Sequence, residues 1–124
     1  MFTKRETVEI TTAADGTGIG YTSVVNGRIL SVQYVKPTSG GFADGVDIDV
    51  TTDVTNQQIW SEDDVNASAI KLPRQAVHST AGVAAAYAEN YPILEPVFAA
   101  EERVKIAIAS GGSGGKGTFH ITIG

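Results

Sequence analysis

Residues 103–124 read RVKIAIASGGSGGKGTFHITIG, and this stretch constrains the fold more than any other. Val104, Ile106 and Ile108 alternate with Lys105, Ala107 and Ala109; beyond a Gly/Ser/Lys run, Phe119, Ile121 and Ile123 alternate with His120 and Thr122. A period of two puts one set of side chains on a buried face and the other outside, which is the signature of half-buried strands. With a glycine-rich run between them, the two segments read as a two-stranded hairpin with a flexible tip. A chain carrying that hairpin is a β-protein.

The rest of the chain agrees with that class. Thr7–Thr12 alternates with Val8 and Ile10 on one side, and Ala13–Gly20 (AADGTGIG) is rich in turn residues. Asn26-Gly27 is a strong turn signal, because both residues tolerate positive φ, so Tyr21–Val25 and Arg28–Val35 are expected to form a hairpin across it. Leu30, Val32 and Tyr34 share one face of the second segment. Lys36–Gly45 (KPTSGGFADG) is a loop by composition. Val46, Ile48 and Val50 face inward from a further strand, with Asp47, Asp49 and Thr51 toward solvent. Gln57–Ser61 is a weaker strand around Ile59 and Trp60, Ser61–Asn66 is a turn, and Ala67–Leu72 resumes the alternation with Ile70 and Leu72 expected inward. Gln75–Ala88 is irregular, with a short strand or one brief helix. Tyr91-Pro92 to Glu95-Pro96 is extended, since a proline pushes its predecessor out of helical space. Seven to nine short strands separated by turns predict a sandwich or a barrel.

A chain of 124 residues is one domain, 1–124, large enough to bury a core without a metal or a disulfide. It has no cysteine, so no thiolate site exists. Nine basic residues against 14 acidic ones give a net charge of −5, which argues against a nucleic-acid partner. No run reaches the ~20 apolar residues of a membrane span, and MFTKRETVEI lacks an apolar signal-peptide core. A soluble product made in the cytoplasm is expected.

Candidate chemistry is sparse. Ser110–Gly117 (SGGSGGKG) fails as a phosphate loop: Ser110 stands where the first glycine belongs and Gly117 where Ser or Thr belongs. Gly16, Gly18 and Gly20 lack the strand–helix context of a dinucleotide site. Asp44, Asp47, Asp49 and Asp53 are a carboxylate cluster of the kind calcium uses, yet Asp47 and Asp49 at period two read as a solvated face. His78 and His120 lack further zinc ligands. Ser79 beside His78 points away from it, and no nucleophile elbow is present. No catalytic, metal or cofactor residue is therefore assigned. Among the aromatics, Trp60 reads as core, while Phe42 and Tyr91, in loops, are the candidates for exposed contacts.

Pro73-Arg74, Ala76-Val77-His78, Thr80-Ala81-Gly82, Pro92, Glu102–Ile106 and Gly117–His120 resemble segments of small structural proteins of tailed-phage virions. The overall build is similar to the small all-β cement or decoration proteins of expanded phage capsids. The resemblance implies an antiparallel β-sandwich, jelly-roll-like. It further implies a non-enzymatic role on the capsid exterior, bridging subunits of the major capsid protein, and a homo-oligomer, most simply a dimer. Under that reading an N-terminal arm (1–6), the loop Pro37–Asp44 and the tip 110–117 make the contacts. Phe2, Lys4, Arg5, Phe42, Ser110 and Lys116 are the expected contact residues. The competing readings are a carbohydrate-binding sandwich of a tail fibre, using Trp60, Phe42 and Tyr91, and a low-copy tail or head-completion protein.

Overall fold

A computed structural model describes residues 3–88 and 91–124, the Tyr87 side chain excepted. The chain forms β1 (Lys4–Thr11), β2 (Gly18–Tyr21), β3 (Val25–Val35), β4 (Asp47–Thr52) and β5 (Gln58–Glu62). Four short strands follow: β6 (Ala69–Lys71), β7 (Arg74–Ala76), β8 (Ala86–Ala88) and β9 (Tyr91–Pro92). The longer β10 (Leu94–Glu102), β11 (Val104–Ala109) and β12 (Lys116–Ile123) complete it.

Setting the short strands aside, eight strands remain, and they pair by nesting. β1 pairs with β12, β2 with β11, β3 with β10 and β4 with β5, all antiparallel. The pattern is that of one long hairpin, turning at β4–β5, that has been rolled up. Rolling lays β12 on the other edge of β3 and β11 on the other edge of β4. The result is one sheet in the order β1-β12-β3-β10, extended by β7, and a second in the order β2-β11-β4-β5. Two packed antiparallel sheets with this nested order are a jelly-roll sandwich, as the sequence led us to expect.

The alternating residues meet between the sheets. Val8, Ile29, Val32, Tyr34, Phe119 and Ile121 come from the first sheet; Ile48, Val50, Trp60, Val104, Ile106 and Ile108 come from the second. Each such side chain, fully buried, stabilises the fold by roughly 1.5–3 kcal/mol. Tyr34 stacks on Phe119 at 5.1 Å and on Phe42 at 5.9 Å between ring centres.

Several local expectations give way. β11 and β12 are not a hairpin: they lie in opposite sheets, and the glycine run carries the chain from one to the other. Alternation specifies which face of a strand is buried but not which strand lies beside it. Asn26-Gly27 is likewise no turn. Both residues sit inside β3, with Gly27 opposite Ala99, and β2 belongs to the other sheet. The positive φ of Gly27 (127°) serves an irregularity in the β3–β10 register, where Asn26 Oδ1 accepts the Glu101 N–H at 2.8 Å. Ile70 and Leu72 point outward, 64% and 63% exposed. Ile70 pairs opposite Gln33, whose neighbours Val32 and Tyr34 fill the core, so register puts Ala69 rather than Ile70 on the inner face. Residues 75–88 form short strands and a bridge between His78 and Ala84, with no helix among the described residues. The proposed arm at 1–6 is largely strand: Lys4 pairs with Ile123 and Arg5 with Thr122. Met1 and Phe2 lie outside the described residues.

Candidate interaction surfaces

The glycine run is tied to two neighbouring connections by a set of hydrogen bonds, contrary to its expected flexibility. Thr12, buried at the end of β1, organises it. Its N–H donates to Gly115 O (2.8 Å), its hydroxyl donates to Gly112 O (2.6 Å), and the same hydroxyl accepts the Gly115 N–H (2.9 Å). Gly111 N–H reaches Gly16 O at 2.9 Å, and Gly111 O accepts the Ala43 N–H at 2.9 Å. Three connections therefore meet at one end of the sandwich: 12–17, 40–43 and 110–116. Glycines permit this approach. A Cβ on Gly117 would lie 2.8 Å from Phe42 Cζ and 2.9 Å from Tyr34 Cε1; one on Gly115 would lie 2.9 Å from the backbone of Phe42.

The expected contact residues divide accordingly. Phe42 is 3% exposed and stacked against Tyr34, so it is a core residue and not an exposed anchor. Its loop composition suggested exposure, but the open space over Gly117 admits its ring. Ser110 and Lys116 are exposed at the same end, with the Lys116 N–H bonded to Gly40 O at 2.9 Å. Lys4 and Arg5 are exposed at the other end of the β1–β12 pair, seven residues or roughly 23 Å away. The five described residues of this set do not form one site, and Phe2 lies outside the described residues. The loop 37–44 is held at its base, where Lys36 Nζ lies 3.0 Å from Asn66 O and 3.7 Å from Asp44, while Asn66 Oδ1 accepts the Gly45 N–H.

The carboxylates also go to separate partners. Asp53 binds Arg103 at 2.9 Å, and that guanidinium stacks over Tyr21 at 4.0 Å. Asp49 accepts from Gln58 Nε2 at 2.8 Å, and Asp47 from the Asp64 N–H at 3.2 Å. His120 Nδ1 lies 3.1 Å from Thr7 Oγ1, whereas His78 lies in the region beyond β7. Trp60 is buried, as expected.

Sequence reasoning passed over Glu102. This buried glutamate accepts the N–H groups of Val54 (2.9 Å) and Thr55 (3.0 Å) on Oε1 and the Thr55 hydroxyl (2.9 Å) on Oε2. The Thr55 N–H, and then the Val54 N–H and the Thr55 hydroxyl, hold its carboxyl below the usual range against the opposing effect of burial. It pins the β4–β5 turn to β10. Nothing in the local sequence distinguishes it from Glu101.

It also passed over the excursion between Arg74 and Pro96. Pro73 and Val97 are buried at its two ends, yet none of the described residues from Arg74 to Glu95 is buried. β7 pairs with the first part of β10 (Leu94 opposite Ala76), outside the β3 contact. Beyond it, a ring of three main-chain hydrogen bonds closes the excursion: Val77 N–H to Ile93 O, Ile93 N–H to Ala85 O, and Ala85 N–H to Val77 O, at 2.8–3.1 Å. Val83, Tyr91, Ile93 and Leu94 are exposed on it. The bracketing prolines and the lost alternation were the available sequence signals.

With the fold and these surfaces in view, no protein-family model, curated protein or solved structure matches the chain.

Proposed function

We propose that the chain is a non-enzymatic structural protein of a tailed-phage virion, bound to the exterior of the mature capsid and bridging subunits of its major capsid protein. The observation that carries this reading is the contrast between the two parts of the fold. The sandwich is a nested roll whose connections are tied to one another by main-chain bonds. The excursion 74–96 stands outside that core with apolar side chains exposed. A rigid body carrying an adhesive element suits a protein that must resist separation of its neighbours. Several weak contacts per copy would suffice, because contacts made together gain by avidity. The resemblance of residues 73–120 to virion proteins supports the same reading.

The carbohydrate-binding alternative is weakened by the burial of Trp60 and Phe42, two of the three aromatics it needs. Quantitative mass spectrometry of purified virions tests the proposal. A copy number comparable to that of the major capsid protein is expected. A few copies per particle would favour the tail or head-completion role, and absence from particles would overturn the virion reading.

A further inference from the structure

Asn26-Gly27 reads as a turn but lies inside a strand, and the pair has a chemistry of its own. Asparagine is a labile residue in water. The main-chain nitrogen of the following residue gives up its proton and attacks the side-chain carbon Cγ. The Cγ–Nδ2 bond breaks, ammonia leaves with that proton, and a five-membered imide joins the two residues. One water then opens the ring, at Cγ to give aspartate or at the former main-chain carbonyl to give isoaspartate. A glycine in the following position offers no side chain to obstruct the attack. Of the four asparagines, only Asn26 precedes a glycine; Asn56, Asn66 and Asn90 precede Gln57, Ala67 and Tyr91.

Ring closure brings the Gly27 nitrogen onto Asn26 Cγ, a geometry that an extended main chain does not allow. The fold holds this stretch extended from both sides. Gly27 lies opposite Ala99 of β10. Arg28 spends its N–H and its carbonyl on Gly124, each at 2.9 Å, toward β12. Alternation of the ladder therefore turns the Gly27 N–H toward β10. The Asn26 amide is tethered as well, since its Oδ1 accepts the Glu101 N–H at 2.8 Å. Next to Glu101, the buried Glu102 is bonded to Val54 and Thr55, which keeps that end of β10 in place. Water nevertheless reaches the site, because Asn26 is exposed. The positive φ of Gly27 (127°) and of Glu101 (51°) flank the point where the β3–β10 register shifts. Val25 begins β3 and Glu102 ends β10, and strand ends are where local opening costs least.

We propose that Asn26 is a conditional modification site: its side-chain amide survives while β3 and β10 are paired and is lost to water when they part. The loss is irreversible. Isoaspartate inserts an extra carbon into the main chain of β3, so Val25 can no longer meet Glu102 in register. Either product adds a negative charge beside Glu101 and Glu102 to a chain already at −5. Each molecule thus carries a permanent mark of having opened at this end of the sandwich. The proposal is independent of the virion reading, since it follows from main-chain chemistry and strand pairing alone.

The test incubates the folded chain and the urea-unfolded chain at the same mildly alkaline pH and temperature. Trypsin then releases residues 6–28 as one peptide, and chromatography with mass spectrometry separates its amide, aspartate and isoaspartate forms. In the unfolded chain Asn26 is expected to react first among the four asparagines. In the folded chain its loss is expected to be slower by at least about 10-fold, because only the opened fraction reacts. Glu102→Gln loosens the end of β10 and is expected to raise the folded-state rate at Asn26 several-fold while leaving Asn66 unchanged. Should that variant not fold, urea below the unfolding transition of the wild type gives the same reading, as a rate that rises before the sandwich melts. Chains carrying isoaspartate are expected to refold with a lowered denaturation midpoint. Equal rates in the folded and unfolded chains overturn the proposal. So does a folded-state rate that ignores both the variant and urea, or an isoaspartate chain that refolds to wild-type stability.

Discussion

Thr12 and Gly115 are joined in both directions: the Thr12 N–H donates to the Gly115 carbonyl at 2.8 Å, and the Gly115 N–H donates to the Thr12 hydroxyl at 2.9 Å. Residues 103 positions apart thus fix the passage of the chain between the two sheets.

Thr12→Val removes that hydroxyl while keeping its shape, leaving the buried Gly115 N–H and the Gly112 carbonyl without it. A loss of about 1–3 kcal/mol is expected, because unpaired buried groups forfeit their hydration. Thr12→Ser should recover most of it. Urea denaturation of the two variants checks this, and a Thr12→Val protein as stable as wild type would refute the role given to the hydroxyl.

Gly117→Ala forces a methyl group into the rings of Phe42 and Tyr34, costing about 1–3 kcal/mol through overpacking. Phe42→Ala on its own is destabilising because it leaves a cavity. The pair should be clearly less destabilising than the sum of the two, as contacting residues are not additive. A thermal-melting double-mutant cycle measures the coupling; strict additivity would mean that the ring does not lie over Gly117.

Tyr34 is wholly buried, and its hydroxyl has no hydrogen-bond partner among the described residues. Burying an unpaired hydroxyl is unfavourable, so Tyr34→Phe is expected to raise stability by about 1 kcal/mol. Chemical denaturation decides it, and a destabilised variant would reveal a partner for the hydroxyl.

Glu102 makes stability depend on pH. Its carboxyl is held below the ordinary range by the N–H groups and hydroxyl it accepts. Its contribution is therefore complete above the unfolded-state value and disappears as pH falls through the folded-state value. Glu6, depressed chiefly by the Ser23 hydroxyl, adds to the same acid loss. Denaturation midpoints from neutral to acid pH should fall more steeply for wild type than for Glu102→Gln, with the two curves converging in acid. Parallel curves would show that the carboxylate contributes nothing.

The sequence exposed the inner faces of most strands but few of their neighbours. Val46, Ile48 and Val50 point inward as alternation requires, as do Val104, Ile106, Ile108, Phe119 and Ile121. Alternation is local, whereas the nested roll is made of distant pairings, so β11 and β12 resembled a hairpin although they belong to different sheets. Ile70 misled because an edge strand of three residues takes its facing from register with β3 and not from its own pattern. Phe42 misled because its burial depends on the missing side chain of Gly117, 75 residues away along the chain. Glu102 has no compositional signature, since its role is defined by what the fold puts around it, whereas the excursion is marked in the sequence only by its bracketing prolines and its lost alternation.

The pairing of β1 with β12 sets a schedule for biosynthesis. Thr7 and His120, neighbours in the sheet, are 113 residues apart. At about 5–20 residues per second, roughly 6–23 s pass between their emergence from the ribosome. For that interval β1 has no final neighbour on its β12 side, and Val8 and Ile10 face solvent or a chaperone. The β4–β5 pair can form early, but the first sheet gains its β1–β12 pairing only after the last strand has emerged.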